Sequence, residues 1–447
     1  MGETPLEPVP ASVGDLLPIT AAIDGAGHLR LAGCDVVALC REYGTPLYLY
    51  DEATIRQICR DYRREFGERL PGARVLYAAK AFLNPALAAL LAEEDVGMDV
   101  VSGGELYVAR AGGFPADRMA FHGNNKSAAE LAAAIDAGVG RIIVDNEHEL
   151  DGLERIAAAR GVRQAVMLRV TPGIDAHTHA KTTTGLVDSK FGLPLVSGAA
   201  EAAVVRLRDS ASLELTGYHV HLGSPIFGME PYEAGIEVMT EFAAAMRDRH
   251  GVTWREFSPG GGFALGYTPD RPPPPIAAYA EAIATALRAG CERHGLPLPE
   301  VHIEPGRSVV GRAGVAVYTV GARKEIPGVR TYVAVDGGMA DNVRPAMYGS
   351  AYTAVVANRM RDAAEETVAI AGKFCESGDV LIDAIALPRL APGDLVALPA
   401  SGAYNLAMES NYNQAQRPPV VFLRDGVARL VRRRQSYADL VALEAAP

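Results

Sequence analysis

At 447 residues the chain is longer than one hydrophobic core usually organises, so two domains are expected, one of them large enough to be a barrel. With 49% hydrophobic and 22% charged residues it has a globular composition, and no run approaches the roughly eighteen unbroken apolar residues of a membrane span. A net charge of −11 argues against a general nucleic-acid or anionic-membrane surface, but it leaves a small anionic ligand open, because a few placed arginines can hold one.

The five cysteines, Cys34, Cys40, Cys59, Cys291 and Cys375, are scattered, with no Cys-x-x-Cys pair. The start, Met1-Gly2-Glu3-Thr4-Pro5, lacks a basic-then-apolar signal, and Leu6 breaks a myristoylation motif. A reducing cytoplasm is the expected location.

Residues 1 to about 45 hold a strand-like segment expected to pack with the C-terminal part. From about residue 74 short apolar runs alternate with Ala-rich amphipathic ones, the pattern of repeated strand and helix units. Eight strands are predicted: 75–80, 97–102, 119–123, 141–146, 164–170, 215–223, 256–262 and 301–307. Helices are predicted between them, at 85–94, 127–138, 147–160, 231–249 and 276–294. Eight such units suggest an α/β fold, a closed (β/α)8 barrel, with an open doubly wound sheet as the competitor. After about residue 310 the runs become strand-rich, at 315–320, 331–335, 367–371, 395–399 and 420–423, the last turning through Arg424-Asp425-Gly426 into 427–431. The expected partition is a barrel over 46–310 and a mostly β second domain made of 1–45 plus 311–447.

What favours the barrel is that the unusual polar residues fall at C-terminal strand ends, where barrel enzymes keep their chemistry. They are Lys80, Asp99 with Ser102, His122 with Asn124, Asp145 with Asn146, Arg169, His221 with Ser224, Gly260-Gly261-Gly262, and Glu304 with Arg307. Lys80 ends a buried apolar strand, where desolvation would lower its pKa and free its amine to attack an aldehyde; a lysine paired with a carboxylate is the structural alternative. The glycine run and Arg307 follow the seventh and eighth strands, a common phosphate position in barrels, although an ordinary turn would look the same. His219 and His221, two apart, should face the same way, yet neither this pair nor His177 with His179 has the nearby ligand spacing of a metal site. Glu304, between Ile303 and Pro305, would be costly unless it faced a cation such as a protonated pyridine or Arg307. In the second domain, the loop from Gly372 to Asp379 carries Cys375, a candidate proton donor or simply a buried thiol.

Together these segments resemble the fold-type III pyridoxal-phosphate decarboxylases over about residues 40–415. Tyr77-Ala78-Ala79-Lys80-Ala81 is similar to their cofactor-lysine motif, and Val101-Ser102-Gly103-Gly104-Glu105-Leu106 to the segment that follows it. Thr184-Gly185 with Ser189-Lys190-Phe191-Gly192 is similar to a stretch of the diaminopimelate branch. The resemblance implies that Lys80 carries pyridoxal 5′-phosphate and that His221 stacks on its ring. It implies that Ser224 and Gly260, Gly261 and Gly262 hold the phosphate, and that Glu304, within Glu304-Pro305-Gly306-Arg307, binds the ring nitrogen. By the same resemblance Arg307, Arg344 and Tyr348 grip the substrate's distal end, Cys375 and Glu376 reach in from a partner subunit of a homodimer, and Tyr404 touches cofactor and substrate. The chain departs from the family pattern at Met347, usually Leu, at Asn405, where Gly commonly follows the tyrosine, and in the tail Arg417-Pro418-Pro419-Val420.

The implied reaction is decarboxylation of meso-2,6-diaminopimelate to L-lysine, with Cys375 returning the proton. A decarboxylase of another basic amino acid or carboxylated polyamine, and a catalytically silent binding protein, are the alternatives.

Overall fold

In a computed structural model, which describes residues 6–175, 185 and 188–445, the chain divides into two compact units. One comprises Ile58–Ala264 and Pro273–Gly306; the other the stretch ending at Gln57, Leu265–Pro272 and the stretch from Arg307 onward. His177, His179 and Thr184 lie outside the described residues.

The first unit is a closed barrel of eight parallel strands: β1 Arg74–Ala78, β2 Gly97–Val100, β3 Met119–Phe121, β4 Arg141–Val144, β5 Gln164–Thr171, β6 Leu213–His219, β7 Glu256–Gly260 and β8 Glu300–Ile303. Each pairs with the next, β4 pairs with β5, and β8 returns to β1. Strands covered on both faces read as continuous apolar runs, as Ile142-Ile143-Val144 does. Leu76, Ala120, Ile143 and Met167, from four of the strands, pack as one buried cluster.

The helices between the strands start where side chains can serve their first N–H groups. Asn84 precedes Pro85 and accepts from the Leu87 N–H, Ser102 and Asn146 cap their helices likewise, and Ser127 forms a reciprocal box with Glu130. At the N-terminal strand ends Arg141 Nε donates to Glu256 at 2.7 Å, and the Thr216 hydroxyl reaches the same carboxylate at 2.7 Å. That end is closed by structural ion pairing, which leaves the other for chemistry.

The second unit is mostly β. Its long strand Gly314–Ile326 pairs antiparallel with Arg330–Val335, with Leu395–Leu398 and with Leu47–Asp51. Leu47–Asp51 pairs on its other side with Val420–Arg424, which forms a hairpin with Val427–Arg432. The hairpin turn is Asp425-Gly426, with φ of +49° and +80°, the left-handed pair a tight two-residue turn needs. A further small sheet of short strands spans Glu7–Pro8 to Cys34–Asp35, and its apolar side joins the core of this unit.

Residues 47–51, expected within the barrel's span, therefore belong to the β unit, because all five are buried between two β-unit neighbours. Leu265–Pro272 also falls outside the barrel unit.

Candidate active site

The C-terminal strand ends are where the sequence placed the chemistry. β1 ends at Ala78 and the chain turns through Ala79–Ala81, a turn closed by the Tyr77 hydroxyl donating to the Phe82 carbonyl at 2.6 Å. Lys80 rides on this turn with an exposed side chain. This corrects the expectation of a desolvated strand lysine: the strand is buried, but the lysine has already left it. The amine is thus reachable, and its charge acts on Glu105 and His221.

Glu304 follows β8 and is buried. Its Oε2 faces His219 Nε2 at 3.0 Å, while Oε1 accepts from the Ser258 hydroxyl at 3.0 Å and lies 3.4 Å from His122 Nε2. His122 and His219 meet edge to face, ring centroids 4.9 Å apart. Burial pushes the Glu304 carboxyl up, but its contacts with His219 and His122 outweigh that and hold it well below the usual carboxylate range. Burial lowers the pKa of His219, while the facing Glu304 carboxylate pulls it the other way. A carboxylate accepts about four hydrogen bonds, so Glu304 retains capacity for a further donor such as a pyridinium N–H.

The pairing of His219 with His221 changes meaning here. β6 ends at His219, so the parity argument stops there, and His221 beyond it accepts through Nδ1 from the Gly261 N–H at 3.2 Å. That fixes the Nε2–H tautomer, and burial followed by the Lys80 charge holds His221 well below its usual pKa. A neutral, flat imidazole is what stacking on an aromatic ring requires.

The glycine run is dictated by packing as well as by ligand approach. A Cβ on Gly261 would come within 2.1 Å of the Glu304 carbonyl oxygen, and one on Gly262 within 2.3 Å of the Gly223 oxygen. The Gly260 N–H donates to Ser258 and that of Gly261 to His221. Pro305 accepts from the Ala78 N–H at 3.1 Å, and a Cβ on Gly306 would lie 2.9 Å from the Ala78 Cβ, so this turn abuts the strand that leads to Lys80.

Sequence reasoning left His122, Ser258 and Glu105 without roles. Glu105 accepts from the Val101 N–H at 2.7 Å, and burial followed by Asp99 raises its carboxyl to about 7.

The second unit contains its own cluster. Arg307 Nη1 donates to the Tyr267 hydroxyl at 2.7 Å, and its guanidinium lies 4.7 Å from the Tyr404 ring centre. Arg344 is buried among the rings of Tyr267, Tyr348 and Tyr404 at 5.4, 5.7 and 5.6 Å. Its Nε donates to the Tyr352 hydroxyl at 3.1 Å and its Nη2 to Ser350 at 3.2 Å. Burial raises the Tyr267 phenol, but Arg307 and Arg344 outweigh it and lower its pKa. Tyr404 has φ of +64°, a conformation a tyrosine rarely adopts. Tyr267 and Tyr352 were not singled out in the sequence, since nothing local marks a tyrosine that meets an arginine far along the chain. Cys375 and Glu376 are exposed on a loop where the Cys375 N–H reaches Asn413 at 3.3 Å and the Tyr412 hydroxyl donates to Glu376.

Residues 52–311 match the family model of the pyridoxal-dependent decarboxylases, pyridoxal binding domain. A diaminopimelate decarboxylase of Bacillus subtilis is 47% identical over 418 residues, 94% of this chain and 95% of the relative, and one of Synechocystis is 43% identical over 455 residues, 100% and 96%. The crystal structure of diaminopimelate decarboxylase from M. jannaschii superposes with a TM-score of 0.90 at 33% identity, covering 97% of this chain and 99% of that one. That from Helicobacter pylori, complexed with L-lysine, gives 0.83 at 31%, covering 91% and 98%. A buried carboxylate faced by His219, His122 and Ser258, a reachable lysine and a histidine bonded to the glycine run, all at one barrel mouth, thus coincide with near-full-length likeness, and the chain belongs to the diaminopimelate decarboxylase family of pyridoxal-dependent decarboxylases.

Proposed function

We propose that the chain releases CO2 from the D-configured centre of meso-2,6-diaminopimelate and leaves L-lysine. The observation that carries this reading is near-full-length identity of 40–47% to relatives named for that substrate, and L-lysine is the ligand named with three structural neighbours. Pyridoxal 5′-phosphate, when bound, supplies an electron sink for the pair left by the departing CO2.

The donor set of the barrel mouth fits that group. Lys80 would hold it covalently through its exposed amine, His221 would cover one ring face, and Ser224 with Gly262 would take the phosphate. Glu304, kept anionic by its neighbours, would hold the proton on the ring nitrogen, and that proton makes the sink effective. Arg344 with Arg307 would bind the carboxylate at the L-configured end, where a planar fork matches a carboxylate best. Tyr348 would flank that end and Tyr404 would touch both ligands. Glu376 would meet the distal ammonium and Cys375 would protonate the carbon that lost CO2, both lent to a second copy of the chain in a homodimer. The exposure of this loop supports such sharing. Among the described residues no helix is long and apolar enough to cross a membrane, and the five free cysteines support a place in the cytoplasm.

The test is CO2 release from meso-diaminopimelate, ornithine and arginine. The last two lack a distal carboxylate, so preference for diaminopimelate by on the order of 10³-fold or more is expected, because a site built to pair a polar group rejects analogues without it. Comparable turnover of ornithine would overturn the assignment.

A further inference from the structure

Asn405 is fully buried and follows Tyr404, at one of the positions where the chain departs from the family pattern. Its Oδ1 accepts from the Tyr352 hydroxyl at 3.0 Å, and that hydroxyl accepts from Arg344 Nε at 3.1 Å. The result is a buried line running Arg344, Tyr352, Asn405 in which every donor points one way. A hydroxyl that donates becomes a better acceptor, so the Asn405 oxygen strengthens the bond that Tyr352 receives from Arg344. It also holds the single phenolic proton on the side away from the guanidinium. Burial pushes the Tyr352 phenol up to about 12, so that proton stays in place across the working pH range.

The line fixes a plane. Arg344 is held at Nε by Tyr352 and at Nη2 by Ser350, while three tyrosine rings lie within 5.7 Å of its centre. Rings flanking a guanidinium do not stop it turning about its own axis, whereas a hydrogen bond at Nε does. Forked recognition of a carboxylate depends on that rotation being set in advance.

We propose that Asn405, acting through Tyr352, is a positioning residue that orients the Arg344 guanidinium for a distal carboxylate and so sets the preference of this enzyme for ligands that carry one. The proposal rests on the reading of Arg344 as the carboxylate-binding arginine. A glycine here could not perform the role, having no side chain to accept the phenolic proton.

The experiment is calorimetric titration of the holoenzyme with L-lysine, which has the distal carboxylate, and with cadaverine, which has the same chain without it. Asn405→Ala and Tyr352→Phe should each weaken L-lysine about fivefold, the scale of one hydrogen bond, while leaving cadaverine unchanged. The double variant should be no worse than either single one, because both break the same line. Equal weakening of both ligands would mean that Asn405 merely supports the fold and would overturn the proposal, as would additive losses or no change. If Asn405→Ala does not fold, Tyr352→Phe alone decides, since phenylalanine keeps the ring. Arg344→Lys separates the two levels: if it leaves the L-lysine to cadaverine ratio unaltered, the reading of Arg344 itself fails.

Discussion

Glu304 shows how one side chain is made to hold a charge where burial opposes it. Its carboxylate is buried, yet two histidines and a serine are turned toward it and the Arg169 charge acts on it, so the anion persists. Glu304→Gln should keep the volume but remove the charge and set an amide N–H2 against donors that expect an acceptor. The expected loss in kcat is on the order of 10²-fold or more with cofactor still bound, measured by CO2 release alongside the bound chromophore. Activity within about threefold of the parent would show that this carboxylate does not govern the ring nitrogen. The residue was legible in sequence because an acid between Ile303 and Pro305 demands a partner, whereas the identity of its partners was not. Ser258 and His122 are ordinary residues until the barrel closes and brings β3, β6 and β7 to the same mouth. Lys80 was legible as a position, but its exposure followed from a turn whose closure by Tyr77 no periodicity announces.

At the scale of elements, strands were found where the apolar runs lay, but most of their C-terminal ends were drawn too long. β1, β6, β7 and β8 stop at Ala78, His219, Gly260 and Ile303, because residues beyond them curl over the mouth and give their backbone groups to turns. Periodicity cannot register that change, since apolar or small residues such as Ala79, Val220 and Gly261 continue directly past the strand ends. The glycines in these turns make the point testable. Gly261→Ala would drive a Cβ into the Glu304 carbonyl, so β7 and β8 must part, at a cost of about 1–3 kcal/mol and with reduced cofactor retention. Gly67→Ala is the counterpart: Gly67 lies in the helix Glu52–Arg69 with open space around its Cβ direction, so the change should add about 0.5–1 kcal/mol. Thermal unfolding of the two variants should move in opposite directions, and equal shifts would show that the close approach at Gly261 is not what selects glycine.

For the whole molecule, the partition into a barrel and a β-rich unit was readable from the change of rhythm near residue 310. The placing of Leu47–Asp51 was not, since its partners lie far along the chain. Sharing of the Cys375–Glu376 loop between copies is the proposal that belongs to this scale. Lys80→Ala and Cys375→Ala, each inactive alone, should regain about a quarter of the parental activity after mixing and subunit exchange, because half of a symmetric dimer population is mixed and each mixed dimer has one intact site. No recovery after exchange verified by mass would place both groups in a single chain. The strand Leu47–Asp51 has one more consequence, and it concerns time. Tyr48 emerges from the ribosome 270 positions ahead of Tyr318, with which it shares a buried hydroxyl contact. At about 5–20 residues per second, that strand waits some tens of seconds for its neighbours while the barrel between them is made. The nascent chain therefore holds a nearly complete barrel and an unpaired strand rich in Leu and Tyr, and the unit that bears Arg344 assembles last. Truncation near the C-terminus would strand that segment as a sticky edge, so the chain's exposure to misassembly is set by its order of synthesis as much as by its final contacts.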